Sequence, residues 1–372
     1  MTDALAVDAA LERAPAVKPP FTISDLKRAI PATCFKKSTM RSFSYLLSDL
    51  VMIVLLVYMS TWIDRIAFPS FLRWGVLWPT YWFWCGAFAT GVWVIAHECG
   101  HGAFSNSKTT NDAVGFVFHS LLLVPYYSWK HSHRRHHSNT ANVAKDEVFV
   151  PKTEPSIVEG DSPITHSAPF RALQIFSTLT IGWPTYLAAN VSGRPYPRWA
   201  SHFNPYSPIF SKRERWEVVL SDIGLAVVVY GLALLGMNFG WAWLVKTYVV
   251  PYLIVNHWLV MITLLQHTHP ALPHYTDEEW DWLRGALGTV DRSYGVLDIV
   301  FHHIADTHVT HHLFSMMPHY HAQEATKAVK EVLGDYYKFD NRNVFKAMWE
   351  DFYTCRYVAP DKPGEGILWY RA

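Results

Sequence analysis

The sequence predicts an all-α integral membrane protein: four transmembrane helices in two hairpins, interfacial helices between them, and a cytosolic cap that carries clustered histidines. Three observations carry this. Several apolar runs approach the roughly 20 residues that a bilayer crossing needs. Half of the 372 residues are apolar and only 17% are charged, with 17 Trp, 19 Tyr and 21 Phe, an aromatic load suited to membrane interfaces. Basic residues are distributed unevenly between the connections.

The first hairpin is expected at 43–63 and 75–96 and the second at 218–237 and 248–266, each pair joined by a short connection. Asp49 and Asp222 are expected near the ends of their segments, where a charge costs least. Pro79 and Pro251 are expected in first turns, where proline is tolerated. Two further apolar stretches, Gly115 to Tyr127 and Ala172 to Ala189, are short or interrupted by Pro184 and are read as helices lying on or dipping into the interface. The Pro-, Ser- and Glu-rich stretch from Pro151 to Pro169 is expected to be an exposed loop. Helical periodicity returns at Ala322 to Leu333. These features divide the chain into a cytosolic N-terminal region (1–42), a membrane domain (43–337) with a cytosolic middle region (97–217) and cap (267–337), and a Pro/Gly-rich tail (338–372).

Lys27, Arg28, Lys36, Lys37 and Arg41 precede the first span, and many more basic residues lie between Lys108 and Arg215, whereas the stretch 238–247 holds Lys246 alone. The positive-inside rule therefore places both termini and the middle region in the cytosol. A formal charge of +1 gives no support for a nucleic-acid partner. Cys34, Cys85, Cys99 and Cys355 form no CxxC, so a reducing compartment without disulfides is expected. The first twenty residues lack the basic and apolar segments of a cleaved signal peptide.

Eight of the 20 histidines fall in three boxes: HECGH (His97, His101), HRRHH (His133, His136, His137) and HVTHH (His308, His311, His312). Spacings of three and four bring side chains to one face of a helix, so each box presents its imidazoles as a group. A structural zinc takes four ligands and a catalytic zinc three, so eight or nine nitrogens suit two ions. Imidazole by itself does not choose among Fe, Zn, Cu and Ni. HECGH also satisfies the H-E-x-x-H pattern of zinc proteases, with glutamate as base. That chemistry leaves the other two boxes without work, and Glu98 is better suited to orienting a ligand.

Together with KDEVFVPK, LQHTHPALPHY, EEWDWLRGALGTVDR and DTHVTHHLFSMMPHY, the boxes make the chain resemble the membrane acyl-lipid desaturases, and among them the microsomal Δ12 (oleate) desaturases of plants, fungi and algae. The likeness runs from about Arg28 to Tyr337. It implies a non-haem pair of irons, O2 as co-substrate, electrons from cytochrome b5 and its NADH reductase, and an endoplasmic reticulum membrane. The implied reaction introduces a cis Δ12 double bond into oleoyl chains of phospholipids to give linoleoyl chains. The eight box histidines map onto the family's ligands, and the ninth, just after the last span, falls on His267, with His269 as its competitor. Glu98, Asp146 and Asp306 are the nearest carboxylates to offset the metal charge. His131, His302 and His303 fall outside the pattern, and His319 and His321 are assigned to a surface turn. Gly102 and Thr310 depart from the residues common in plant members. An oligomer of identical chains is compatible with the likeness.

Breaking an unactivated C–H bond needs an iron–oxygen oxidant, and an acyl chain must be positioned by the shape of an apolar channel. The aromatic-rich segments Trp78 to Trp93 and Trp241 to Trp258 are candidates for its walls. No GxGxxG, CxxCH or His-Pro-Gly-Gly signature is present, so a separate electron carrier is implied, and Lys130, Arg134, Arg135 and Lys145 are candidate docking cations for acidic cytochrome b5. Hydroxylases, acetylenases and conjugases share the boxes and remain alternatives. An intramembrane zinc protease and a membrane metal carrier or sensor are the other readings.

Overall fold

The computed structural model describes residues 12–153 and 167–372. Its main helices are α1 (Ile23–Ala29), α2 (Thr39–Ile63), α3 (Trp78–His101), α4 (Lys108–Leu121), α5 (Tyr126–Asn139), α6 (Ala168–Ala189), α7 (Arg215–Phe239), α8 (Trp241–His267), α9 (Trp282–Ala286), α10 (His308–Leu313), α11 (Ala322–Leu333) and α12 (Val344–Thr354). Three of them are long and apolar enough to cross a bilayer: α2, α7 and α8. The first two turn most of their apolar side chains outward, whereas α8 is half buried. Leu47, Val54 and Met59 of α2 are exposed while Ser42, Asp49 and Ser60 are buried. On α7, Val227, Val229 and Tyr230 face outward over a buried Ser221. Such a surface is stable only in an apolar solvent, and the protein is a membrane protein. The fourth expected span, 75–96, falls on α3, whose Trp, Tyr, Gly, Cys and Thr residues pack inside the bundle between α2 and α8.

Local chemistry moves several elements from their expected places. Pro79 and Pro251 stand in the first α-helical turn, as expected, but a π-turn leads into each, at Arg73–Leu77 and Val245–Val249. The wider turn accommodates the missing N–H inside a longer helix. The stretch 238–247 is accordingly almost all helix, with Gly240 alone at φ +92 between α7 and α8. Gly115 to Tyr127 is not one helix. It breaks after Leu121, with Leu123 at φ +56 and Pro125 as the N-cap of α5. Conversely, α6 runs unbroken through Pro184. Asp49 lies in the middle of α2, buried against His302 rather than near an end. Of the expected loop Pro151 to Pro169, residues 154–166 lie outside the described residues.

The chain is also not purely α-helical. Strand β1 (His274–Tyr275) pairs antiparallel with β5 (Ile367–Arg371), which pairs with β4 (Tyr357–Pro360); β2 (Asp291–Arg292) runs parallel to β3 (Phe339–Asp340). The residues after 337, expected as a tail, thus fold back onto the cap. Val344, Ala347 and Met348 of α12 enter the main core. Arg292, fully buried, pairs with Asp340 and, at 2.9 Å, with Asp351. The N-terminal segment is folded as well: Leu26, Ile30 and Cys34 pack with Val309 and Leu313, and Thr22 caps α1 in a capping box with Asp25.

Removing one partner of a buried ion pair leaves the others uncompensated. Arg292→Met is expected to cost about 3–5 kcal/mol and to open residues 338–372 to protease. Limited proteolysis and thermal unfolding in detergent check this; a variant as resistant as the parent would show that the pair does not hold the C-terminal segment.

Candidate metal centre

Each histidine box sits where a helix meets the cap. His97 and His101 occupy the last turn of α3, which Gly102 ends at φ +72. His133, His136 and His137 fill the second half of α5, His267 ends α8, and α10 carries His308, His311 and His312. The nine rings converge in two groups. In the first, His97, His101, His133, His137 and His311 bring one ring nitrogen each within 4.8 Å of all the others. In the second, His267 Nε2 lies 3.3 Å from His136 Nε2 and 3.1 Å from His308 Nε2, and His308 Nε2 lies 3.1 Å from His312 Nε2. The groups abut, with the His137 and His312 rings stacked at 4.1 Å.

The first group contains a triangle that hydrogen bonding cannot satisfy. The Nε2 atoms of His97, His101 and His133 are 2.9, 3.0 and 3.2 Å apart. A neutral imidazole nitrogen is either a donor or an acceptor, so three atoms cannot all pair with one another. A shared cation resolves this. At about 2.1 Å from each nitrogen, it spaces neighbouring ligands about 3.0 Å apart at right angles and about 3.4 Å apart at the tetrahedral angle. His311 Nε2 is likewise buried without a hydrogen-bond partner. The donor set therefore fits two first-row metal ions, one among five imidazoles and one among four.

Burial, reinforced by neighbouring imidazoles, holds His133, His137, His308 and His312 well below the ordinary histidine range; burial and then His136 lower His311 to about 3. Neutral rings are the form a metal requires. Outer contacts orient some of them. Asp146 Oδ1 lies 2.6 Å from His136 Nδ1 and also accepts from the Glu147 amide. Thr140 Oγ1 lies 3.2 Å from His312 Nδ1. Glu98 is buried, with Oε1 3.3 Å from His97 Nδ1 and 3.8 Å from His311 Nδ1. It faces the side of the His97 ring away from the clustered nitrogens, the wrong place for a hydrolytic base.

Other residues fall elsewhere. Asp306 bonds His303 and Gln323 rather than any of the nine. His269 turns from the group towards Asp340, 3.4 Å away. His131 takes Glu217 at 2.6 Å. His319, expected on a surface turn, is buried between Tyr45 and His302. The expected docking cations are each paired: Lys130 with Asp112, Arg134 and Arg135 with Glu214, and Lys145 with Asp277. Their charge is only partly offset, because Arg134 and Arg135 share one carboxylate and Lys130 shares Asp112 with Lys108.

An apolar cavity of about 400 Å³ reaches both groups, touching His97 and His133 of one and His136, His267 and His308 of the other. Thr90, Trp93 and Val94 of α3 form one wall, as the first aromatic segment suggested. The second wall is not Trp241 to Trp258 but the stretch just beyond, Leu259 to Gln266. A third wall is α6, through Ser177, Ile181, Trp183 and Tyr186, and Trp129, Val148 and Phe149 add to the lining. The helix itself was expected, at Ala172 to Ala189, but not its role as a wall, because a helix that buries one short stretch against a cavity shows no distinctive pattern. Thr90 and Thr263 hydroxyls bond back to their own helices, at Gly86 and Leu259, which turns their polar atoms from the cavity.

Fold and site together define a helical membrane protein with a two-part polyhistidine cluster at one end of an apolar cavity. The chain belongs to the fatty acid desaturase family, whose model matches residues 73–342, and it is an oxidoreductase. A domain of unknown function, DUF3474, matches residues 4–57. Among relatives, the chain is 56% identical to a "Delta(12)-acyl-lipid-desaturase" of Punica granatum, covering 97% of this chain and 93% of that one. It is 55% identical to an "Omega-6 fatty acid desaturase, endoplasmic reticulum isozyme 2" of Glycine max, over 97% and 94%. It is also 52% identical to an "Oleoyl-12-hydroxylase" of Ricinus communis, over 97% and 93%.

The lowered histidines fix how metal-free stability depends on pH. Above about pH 6.5 a histidine is neutral in folded and unfolded chains alike, so it contributes no pH dependence. Below that, the unfolded chain takes up protons that the folded cluster refuses, and stability falls by about 1.4 kcal/mol per pH unit for each excluded proton. Thermal unfolding of the metal-free protein in detergent should therefore shift steadily downward from pH 7 to pH 5. A flat profile would contradict burial of the neutral cluster.

Proposed function

We propose that the protein is a Δ12 desaturase that converts oleoyl chains esterified in phospholipid to linoleoyl chains in the endoplasmic reticulum membrane, with both termini in the cytosol. The observation that carries this is the apolar cavity ending on both histidine groups. The relatives' names and the basic residues around the first span support the substrate and orientation. On this reading His97, His101, His133, His137 and His311 hold one iron, and His136, His267, His308 and His312 the other. When bound, the iron pair supplies the O2-dependent oxidising power that unactivated methylenes require.

The chain's own residues prepare that chemistry. Ile181, Val260 and Trp183 supply apolar walls, so an acyl chain is held by shape and water is kept from the reacting carbons. Asp146 fixes the ring of His136 through Nδ1, leaving Nε2 free to bind metal. In balance, O2, two electrons and two protons combine with the two hydrogens taken from the chain to give two waters. The sequence contains no flavin, nicotinamide or haem signature, so the electrons come from a separate carrier, for which we propose cytochrome b5.

Expression in a yeast that makes no polyunsaturated lipids tests the reading. Linoleate should appear in the phospholipids and vanish with His308→Ala, and purified protein should hold two irons per chain. A hydroxylated C18 product would instead favour the activity named for the Ricinus relative, and unchanged lipids with a single metal would overturn the proposal. Gly182→Leu provides a second test. Gly182 lines the cavity, and its nearest neighbours, Thr178 and Val260, stand in ordinary contact with an added Cβ, so a leucine is accommodated by taking up space in the cavity. Linoleate is expected to fall at least about tenfold with iron content unchanged; full activity would mean that the cavity does not take the chain.

A further inference from the structure

The short helix α10 supplies three of the nine histidines yet spans only His308–Leu313. Six residues cannot set their own orientation, so the segment leading into α10 must do it. That segment is strained: His302 and His303 both stand in the left-handed region, at φ +52 and +60. Consecutive non-glycine residues persist there only when their surroundings over-determine them. The surroundings are specific. His302 Nε2 meets Asp49 Oδ2 of α2 at 2.7 Å, both groups buried. Gly91 of α3 admits the turn, because a Cβ there would stand 2.6 Å from the Val300 carbonyl and 3.0 Å from Asp49 Oδ2. Gln266, beside His267, donates to the carbonyls of Ile304 and Ala305, both at 3.2 Å.

A carboxylate in the middle of a lipid-facing helix is costly and calls for a partner. Asp49 has a histidine rather than an arginine or lysine, and that histidine is the strained residue.

We propose that Asp49 is a positioning residue for the metal centre: by holding His302 it locks the left-handed turn that aims His308 and His312 at His136 and His267. The pair touches no reacting atom. It acts by fixing the register of α10, so its loss leaves the second group of imidazoles present but misaligned. The inference rests on the reading of the nine histidines as ligands.

Ferrous iron binding to the purified, metal-free full chain under anaerobic conditions tests it, with Asp49→Leu, Asp49→Asn and His308→Ala compared against the parent. Asp49→Leu removes the acceptor and should bind one iron normally and the second at least about tenfold more weakly, with a matching loss of linoleate. Asp49→Asn keeps an acceptor for His302 and should recover most of the second iron. Thermal unfolding of the metal-free forms separates misalignment from general loss of fold. If Asp49→Leu does not fold, His302→Leu removes the same contact from the loop side and is read in the same way. Two irons bound with parental affinity in Asp49→Leu or His302→Leu, or weakening only in proportion to lost thermal stability, would overturn the proposal. If His308→Ala also retained both irons, the ligand reading itself would fail.

Discussion

Nine imidazoles brought nitrogen to nitrogen make a poor core. They offer few apolar contacts, and their lone pairs and N–H groups point at one another with no way to alternate. Such an arrangement persists only if a cation is gained when it forms and if the surrounding fold is stiff enough to hold it before the cation arrives. The rest of the structure answers the second requirement. Histidines end α3 and α8, fill the second half of α5, and ride on α10, and each carrier is packed against at least one other. The binding free energy of metal ions to a preformed site then becomes folding free energy for the whole cap.

The same constraint explains why residues 21–34 and the C-terminal segment are folded against the cap. α10 is too short to stand alone, and it is roofed by Leu26, Ile30 and Cys34 from one end of the chain. From the other end, Asp340 and Asp351 pin Arg292, whose Nε also holds the Leu265 carbonyl near the end of α8. Parts of the chain that contribute no ligand thus set the positions of two elements that do.

Legibility in the sequence followed the strength of local signals. Apolar runs of bilayer length were readable, as was the i, i+3, i+4 spacing that put eight histidines in three groups. The ninth, His267, came from the family likeness, because a lone histidine at a helix end carries no pattern of its own. What was lost depended on partners distant in sequence. Pro79 and Pro251 marked the first α-helical turns, but the π-turns that lead into them have no composition signature. Asp49 was read as tolerable near a helix end, whereas its neighbour is His302, 253 positions away. The acids that partly offset Lys130, Arg134, Arg135 and Lys145 lie as far as 132 positions away, at Asp112, Glu214 and Asp277, and were not legible beside them. The C-terminal strands were missed because two- to five-residue pairings of mixed sequence lack an alternating pattern.

The single-residue link at Gly240 makes chain length as restrictive as residue identity. One residue added to an α-helix turns everything beyond it by about 100°, and a link that is one glycine long has no slack to take up an insertion. An extra residue there would rotate α8 and swing His267 out of line with His136 and His308. The π-turn at Val245–Val249 already holds one residue more than an α-turn, so a deletion within it would straighten the helix while causing the opposite rotation. Insertions and deletions in this hairpin should therefore be tolerated only in compensating pairs.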